Sequence, residues 1–115
     1  MSTPRPDFGP AAHAELALLL EVAGTPKPGN VDRTHDFADL RFEQFLAGAV
    51  GGRPGLDAAA YPDGPGVGRC FERAVAGMSQ QAGGNTQFGC LLLLIPLVRT
   101  ATTGMLSRDR VERVV

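Results

Sequence analysis

Several absences narrow the reading of this chain first. It holds no apolar run long enough to cross a bilayer. The longest, Cys90 to Val98, is far shorter than the about 20 residues a spanning helix needs, and it reads as a buried core helix. It carries almost no net charge, −1 over 115 residues. Neither the basic face of a nucleic-acid binder nor an acidic interaction tail is therefore supported. Neither GxxxxGKS/T nor a GxGxxG after a strand occurs, so the usual glycine-loop nucleotide signatures are missing. There are only two cysteines, Cys70 and Cys90, and neither has a partner at metal-ligand spacing. The first ten residues are proline-rich and polar, unlike a secretory signal, so both thiols are expected to be reduced and buried in a cytoplasmic protein. No internal repeat and no strand alternation is visible. Lysine is nearly absent too: ten of the eleven cationic side chains are arginine, and the exception is Lys27.

A chain of 115 residues is at most one domain, able to bury roughly two-thirds of its unfolded surface. Fifteen glycines and nine prolines gather between the apolar segments and read as boundaries. After a loose leader over 1–9, Pro10 suits the first turn of a helix running to Ala23, with Leu16, Leu19, Leu20 and Ala23 as its stripe and Gly24 and Pro26 as its stop. Asp39 is placed as the N-cap of a second helix, Leu40 to Val50. There Phe42, Phe45, Leu46, Ala49 and Val50 share a face, and Gly51 and Gly52 end it. Residues 51–65 read as a flexible connection, with Asp57 and Asp63 solvated. A third helix is expected over Gly66 to Gln81, its stripe being Val67, Phe71, Ala74, Val75 and Met78. A fourth runs from Asn85 or Thr86 to Thr102. It is apolar nearly all round, so it belongs at the centre of the core, and Pro96 should kink it. Ser107 looks like the N-cap of a fifth, with Asp109 helping the dipole. The fold class is all-α, a bundle of about five helices. The apolar stripe begun by Val111, Val114 and Val115 has nothing after it, so truncation of a larger all-helical domain is expected, with exposed hydrophobic surface.

Three pieces can carry chemistry. The first is the loop TPKPGNVDRTHDFA, residues 25–38. Stiffened by Pro26 and Pro28, it gathers Lys27, Gly29, Asn30, Asp32, Arg33, His35 and Asp36. A rigid loop presenting a compact ammonium suits phosphate binding, although a solvated surface loop can look the same. The second is GGNTQFG, residues 83–89, at the start of the most apolar helix. Free N–H groups, the helix dipole and glycines that admit a ligand favour an anion at Gly84, Asn85 and Thr86, while plain helix capping is the alternative. The third is Glu21, a carboxylate opposing the dipole in the last turn of the first helix, where it could orient Lys27. His13 is placed in the first turn of that helix with no partner and is given no role.

The stretches LLLEVAGTPKPGNVDRTHDF (Leu18 to Phe37) and GGNTQFG (Gly83 to Gly89) together resemble the triphosphoribosyl-dephospho-CoA synthase family. The second departs from the pattern, because Gln87 and Phe88 follow Asn-Thr where the bacterial enzymes typically have a His. The variant looks closer to archaeal-type homologues. The family is longer than this chain, which resembles its amino-terminal part. The resemblance implies an all-helical, cytoplasmic transferase. It would take ATP and 3′-dephospho-CoA, or a similar acceptor, release adenine and join the triphosphoribosyl unit to the acceptor ribose, with Mg²⁺ as cofactor. It implies no nucleic-acid or membrane partner, and a homo-oligomer is compatible with it. Breaking an N-glycosidic bond builds positive charge on the ribose. Asp32 and Asp36 are therefore the candidates to stabilise that charge, act as base or hold the metal. Lys27 and Arg33 would neutralise the triphosphate. Gly29, Asn30, Gly84, Asn85 and Thr86 would hold phosphate or ribose, with Glu21 and His35 in support. A small helical domain that binds a nucleotide without turnover, or an inactive fragment, is the alternative. The enzymatic reading supposes that both segments converge on one polyphosphate cradle.

Overall fold

The structure, a computed structural model, describes residues 9–23, 42–80 and 87–115, with the Phe42 side chain excepted. The described residues form six α-helices and no strand: α1 (Gly9–Ala23), α2 (Phe42–Gly51), α3 (Arg53–Ala59), α4 (Val67–Met78), α5 (Phe88–Thr102) and α6 (Arg108–Val114). The expected all-α class holds. The leader over 1–9 and the Asp39 cap lie outside the described residues, apart from Gly9 in α1.

The extra helix is α3, inside the segment 51–65 that was expected to be a flexible connection. Gly52 turns the chain, Pro54 occupies the first turn where no intrahelical donor is lost, and Leu56, Ala58 and Ala59 are buried. Gly55 makes this possible. A Cβ there would stand 2.5 Å from the Cys70 carbonyl oxygen and would collide with Ala74, so α3 lies with its backbone almost on α4. Gly51 and Gly77 do the same for α2 and α4, where each Cα faces the other's backbone; a Cβ on Gly51 would lie 2.8 Å from the Gly77 carbonyl carbon. Two glycine contacts thus draw α2, α3 and α4 closer than side-chain-mediated packing, at 8–10 Å between axes, normally permits.

The core runs through all the long helices: Leu18 of α1, Ala49 of α2, Leu56 of α3, Cys70, Ala74 and Met78 of α4, and Leu91, Ile95 and Val98 of α5. On α4 the expected stripe is confirmed, with Ala74 and Met78 buried and Val67, Phe71 and Val75 packed on the core. On α1 it is not. Ala11, Ala14, Leu18 and Val22 face inward while Leu16 and Leu20 are 49% and 60% exposed. Both sides of α1 are apolar; the side with Ala11, Ala14, Leu18 and Val22 faces the bundle, and of the expected stripe Leu19 packs half-buried on the core. Helix α2 buries Ala49 and half-buries Phe45 and Leu46 but leaves Val50 exposed.

Helix α5 corrects a second expectation. It is not wrapped on all sides, because Leu92 and Leu93 are 53% and 69% exposed. It contacts α1, α3, α4 and α6 on one face and turns an apolar face outward. It also begins at Phe88 with Gln87 as N-cap, later than the expected Asn85 or Thr86. At its far end Ser107 caps α6 as the sequence indicated, its Oγ accepting from the Arg110 N–H at 3.2 Å, with Asp109 in the first turn. Cys70 is buried but Cys90 is only half-buried; neither is in a disulfide.

Candidate functional site

Ten of the eleven residues predicted for the site lie outside the described residues: Lys27, Gly29, Asn30, Asp32, Arg33, His35, Asp36, Gly84, Asn85 and Thr86. The supposed convergence of the two segments therefore lies outside them as well. Glu21 is described. It sits exposed in the last turn of α1, one residue before buried Val22, so the carboxylate is where the sequence placed it, at the helix end that leads into residue 24.

The geometry around the segments' described flanks is specific. Segment 24–41 leads into α2, and segment 81–86 leads from α4 into Gln87. Gln87 is buried, 5% exposed. Its side chain does not cap its own helix. Instead Nε2 donates to the Phe45 carbonyl oxygen of α2 at 3.0 Å. Its backbone N–H points at the Met78 sulfur, 3.1 Å away at the end of α4, and its own carbonyl accepts the first α5 bond, from Leu91 N–H at 3.0 Å. One residue after Gln87, the Phe88 ring meets Phe71 of α4 edge-on, with centroids 5.0 Å apart and planes at 79°. The start of α5 is thus tied at once to the beginning of α2 and the end of α4. The sequence reading noticed Gln87 only as a departure from a pattern. The available signal was an amide placed directly before a long apolar run, where burial demands a partner.

Other polar groups serve the scaffold. Arg99 of α5 reaches the end of α3: Nε donates to the Ala59 carbonyl at 2.8 Å, and Nη2 donates to the Pro65 carbonyl and lies 3.5 Å from the Ala58 oxygen and 3.7 Å from the Cys70 sulfur. A cation is thereby set on a helix C-terminus. Arg53 of α3 bridges Asp57 at 2.7 Å and Glu15 of α1 at 3.1 Å. Its guanidinium is held above its ordinary value mainly by the Asp57 hydrogen bond, with burial pulling the other way and Glu15 adding to the rise. Asp57 is accordingly ion-paired on a helix, not merely solvated on a linker. His13, expected to lack a partner, donates from Nδ1 to the Gly9 carbonyl at 2.8 Å.

Two grooves of about 480 Å³ each flank α5. One is lined by His13, Ala14, Ala17, Leu94, Val98 and Leu106 among others. The second is walled by Phe71, Leu92, Leu93, Pro96, Val111 and Val115 among others. Both are apolar and lack the cations or free amides a triphosphate requires. Among the described residues no three His, Cys, Asp or Glu side chains gather as metal ligands, and no helix is long and apolar enough to cross a membrane.

The described residues define an all-α protein in which the flanks of two polar, glycine-bearing segments are joined through one buried amide. The chain belongs to the family of ATP:dephospho-CoA triphosphoribosyl transferases (CitG), which matches residues 8–115 and so includes both segments. No curated protein and no solved structure matches it.

Proposed function

We propose that this protein transfers the triphosphoribosyl unit of ATP to a ribose hydroxyl of dephospho-CoA or a closely similar acceptor and releases adenine. The observation that carries this reading is the family match over residues 8–115, which takes in the lysine loop and the glycine-led segment together. The C1′–N9 bond of ATP breaks as a C1′–O bond forms to the acceptor. The proton from the acceptor hydroxyl passes to a base, and adenine departs with a proton. Asp32 and Asp36 are assigned to the oxocarbenium-like charge and the hydroxyl proton. Lys27 and Arg33 act on the triphosphate. Gly29, Asn30, Gly84, Asn85 and Thr86 supply amide and side-chain donors to phosphate and ribose. Glu21 and His35 orient the loop. The same two aspartates suit Mg²⁺, which takes one or two carboxylates plus phosphate oxygens and would offset triphosphate charge.

The test uses Lys27→Ala, Asp32→Asn, Asp36→Asn and Asn85→Ala. Calorimetry with ATP and Mg²⁺ measures binding, and chromatography measures free adenine in the presence of dephospho-CoA. Loss of binding in the lysine and asparagine variants, with loss of adenine release in the aspartate variants, is the expected pattern. Wild-type behaviour in all four removes the assignment.

A further inference from the structure

Gln87 is one of two buried polar side chains among the described residues; the other, Thr100, merely returns its hydroxyl to the Pro96 carbonyl of its own helix at 2.8 Å. Gln87 spans 42 positions of sequence instead, from the first residue after segment 81–86 to the opening turn of α2. An N-cap position ordinarily uses its side chain on its own N–H groups. Here that bond is given up, and a leucine of similar volume would satisfy burial alone. What leucine cannot supply is the N–H that fixes α5 against α2 at one distance and one rotation.

We propose that Gln87 is a positioning residue for the transfer reaction, holding the helix starts that follow segments 24–41 and 81–86 in fixed register. The inference rests on the transferase reading above and deepens it. It invokes no contact between Gln87 and substrate. Groups delivered from two separate segments must meet the same ribose, and a misplacement near 1 Å can cost about a hundredfold in rate. Loss of the amide should therefore act on turnover more than on nucleotide capture.

The experiment compares Gln87→Leu, which removes the donor, with Gln87→His, whose Nε2–H lies at a similar reach, in the whole chain. Adenine release gives kcat and the KM for ATP, and amide hydrogen exchange is followed at residues 46–49 and 91–94. For Gln87→Leu we expect kcat to fall about ten- to a hundredfold, with KM within about threefold of wild type. Exchange in both helix starts should quicken about fivefold or more, while the protected core of α4 keeps its rate. Gln87→His should restore most of both. Unchanged exchange in Gln87→Leu overturns the coupling. Quickened exchange with unaltered kcat overturns the positioning role. A wild-type protein that releases no adenine defeats the transferase reading itself, and with it the positioning role, while the exchange data still decide whether Gln87 joins the two helices.

Discussion

Replacing Arg99 offers the sharpest test of how this small bundle is held together. The side chain donates to two carbonyls at the end of α3 and the turn beyond it, those of Ala59 and Pro65. The Ala58 oxygen, 3.5 Å away, is too far to add a strong bond. A hydrogen bond from a charged group contributes about 1.5–3 kcal/mol. Two would give roughly 3–6 kcal/mol, but Arg99 is only half-buried, so water can reach the orphaned oxygens and recover about half. The net expectation for Arg99→Met, which keeps the apolar stem, is a loss of about 1.5–3 kcal/mol. For a domain of this size the Tm should fall by roughly 4 °C per kcal/mol, or about 6–12 °C. Arg99→Lys should recover less than half, since one ammonium cannot span the fork. Urea titration followed by circular dichroism gives the free energy, with an unchanged m-value as the check on two-state behaviour. Cys70 supplies a local readout. Its sulfur lies under the guanidinium at 3.7 Å, so in a Cys90→Ser background its labelling by a thiol reagent should accelerate in Arg99→Met. A variant within about 0.5 kcal/mol of wild type would show that the α3 terminus is held by packing alone.

Three other outcomes are expected. Gly77→Ala should cost about 3 kcal/mol or more, because its Cβ would drive into the Gly51 backbone and neither partner has a side chain that can yield; urea midpoints measure it. Ser107→Ala should cost about 1 kcal/mol and be felt mainly as fraying of α6, visible as faster amide exchange at Arg110 and Val111. Arg53→Ala should cost under about 1 kcal/mol, since the guanidinium and Asp57 are both partly solvated, and the cost should shrink as salt rises. Because the folded-state value of Arg53 is raised, its stabilising effect is in full force at every pH below the unfolded guanidinium range and is lost only above it. Ionic strength, not alkaline pH, is therefore the variable to scan.

How far the sequence announced these features depends on whether the deciding interaction was local. Ser107 was legible because a cap acts within three residues. The α4 stripe was legible because its apolar and charged positions separate cleanly around the helix. Helix α1 was misread because apolar residues occur all round it, with Leu18 and Val22 on one side and Leu16 and Leu20 on another. Only the neighbours decide which side goes in. Helix α3 was hidden by Pro54 and Gly55, loop signals in isolation; the glycine's purpose lies on α4, some twenty residues away. The supposition that α5 is enclosed failed for the same reason, since apolarity all round does not say how many partners arrive. The family was legible from two short motifs, and the match over 8–115 bears that out. Ten of the eleven candidate site residues lie outside the described residues; the tie beside them was not legible, because Gln87 stood in plain view as a mismatch and its partner, Phe45, is a carbonyl that any residue could have provided.

The meeting of Gly51 and Gly77 carries a lesson for anyone redesigning this chain. Elsewhere in the bundle a lost methyl can be exchanged for a gained one across the interface, and rotamers can absorb the difference. Where main chain rests on main chain there is nothing to trade. That crossing behaves as a pinned joint: libraries can repaint every surrounding surface, but the angle between these two rods is set by peptide planes and will resist adjustment by side-chain substitution.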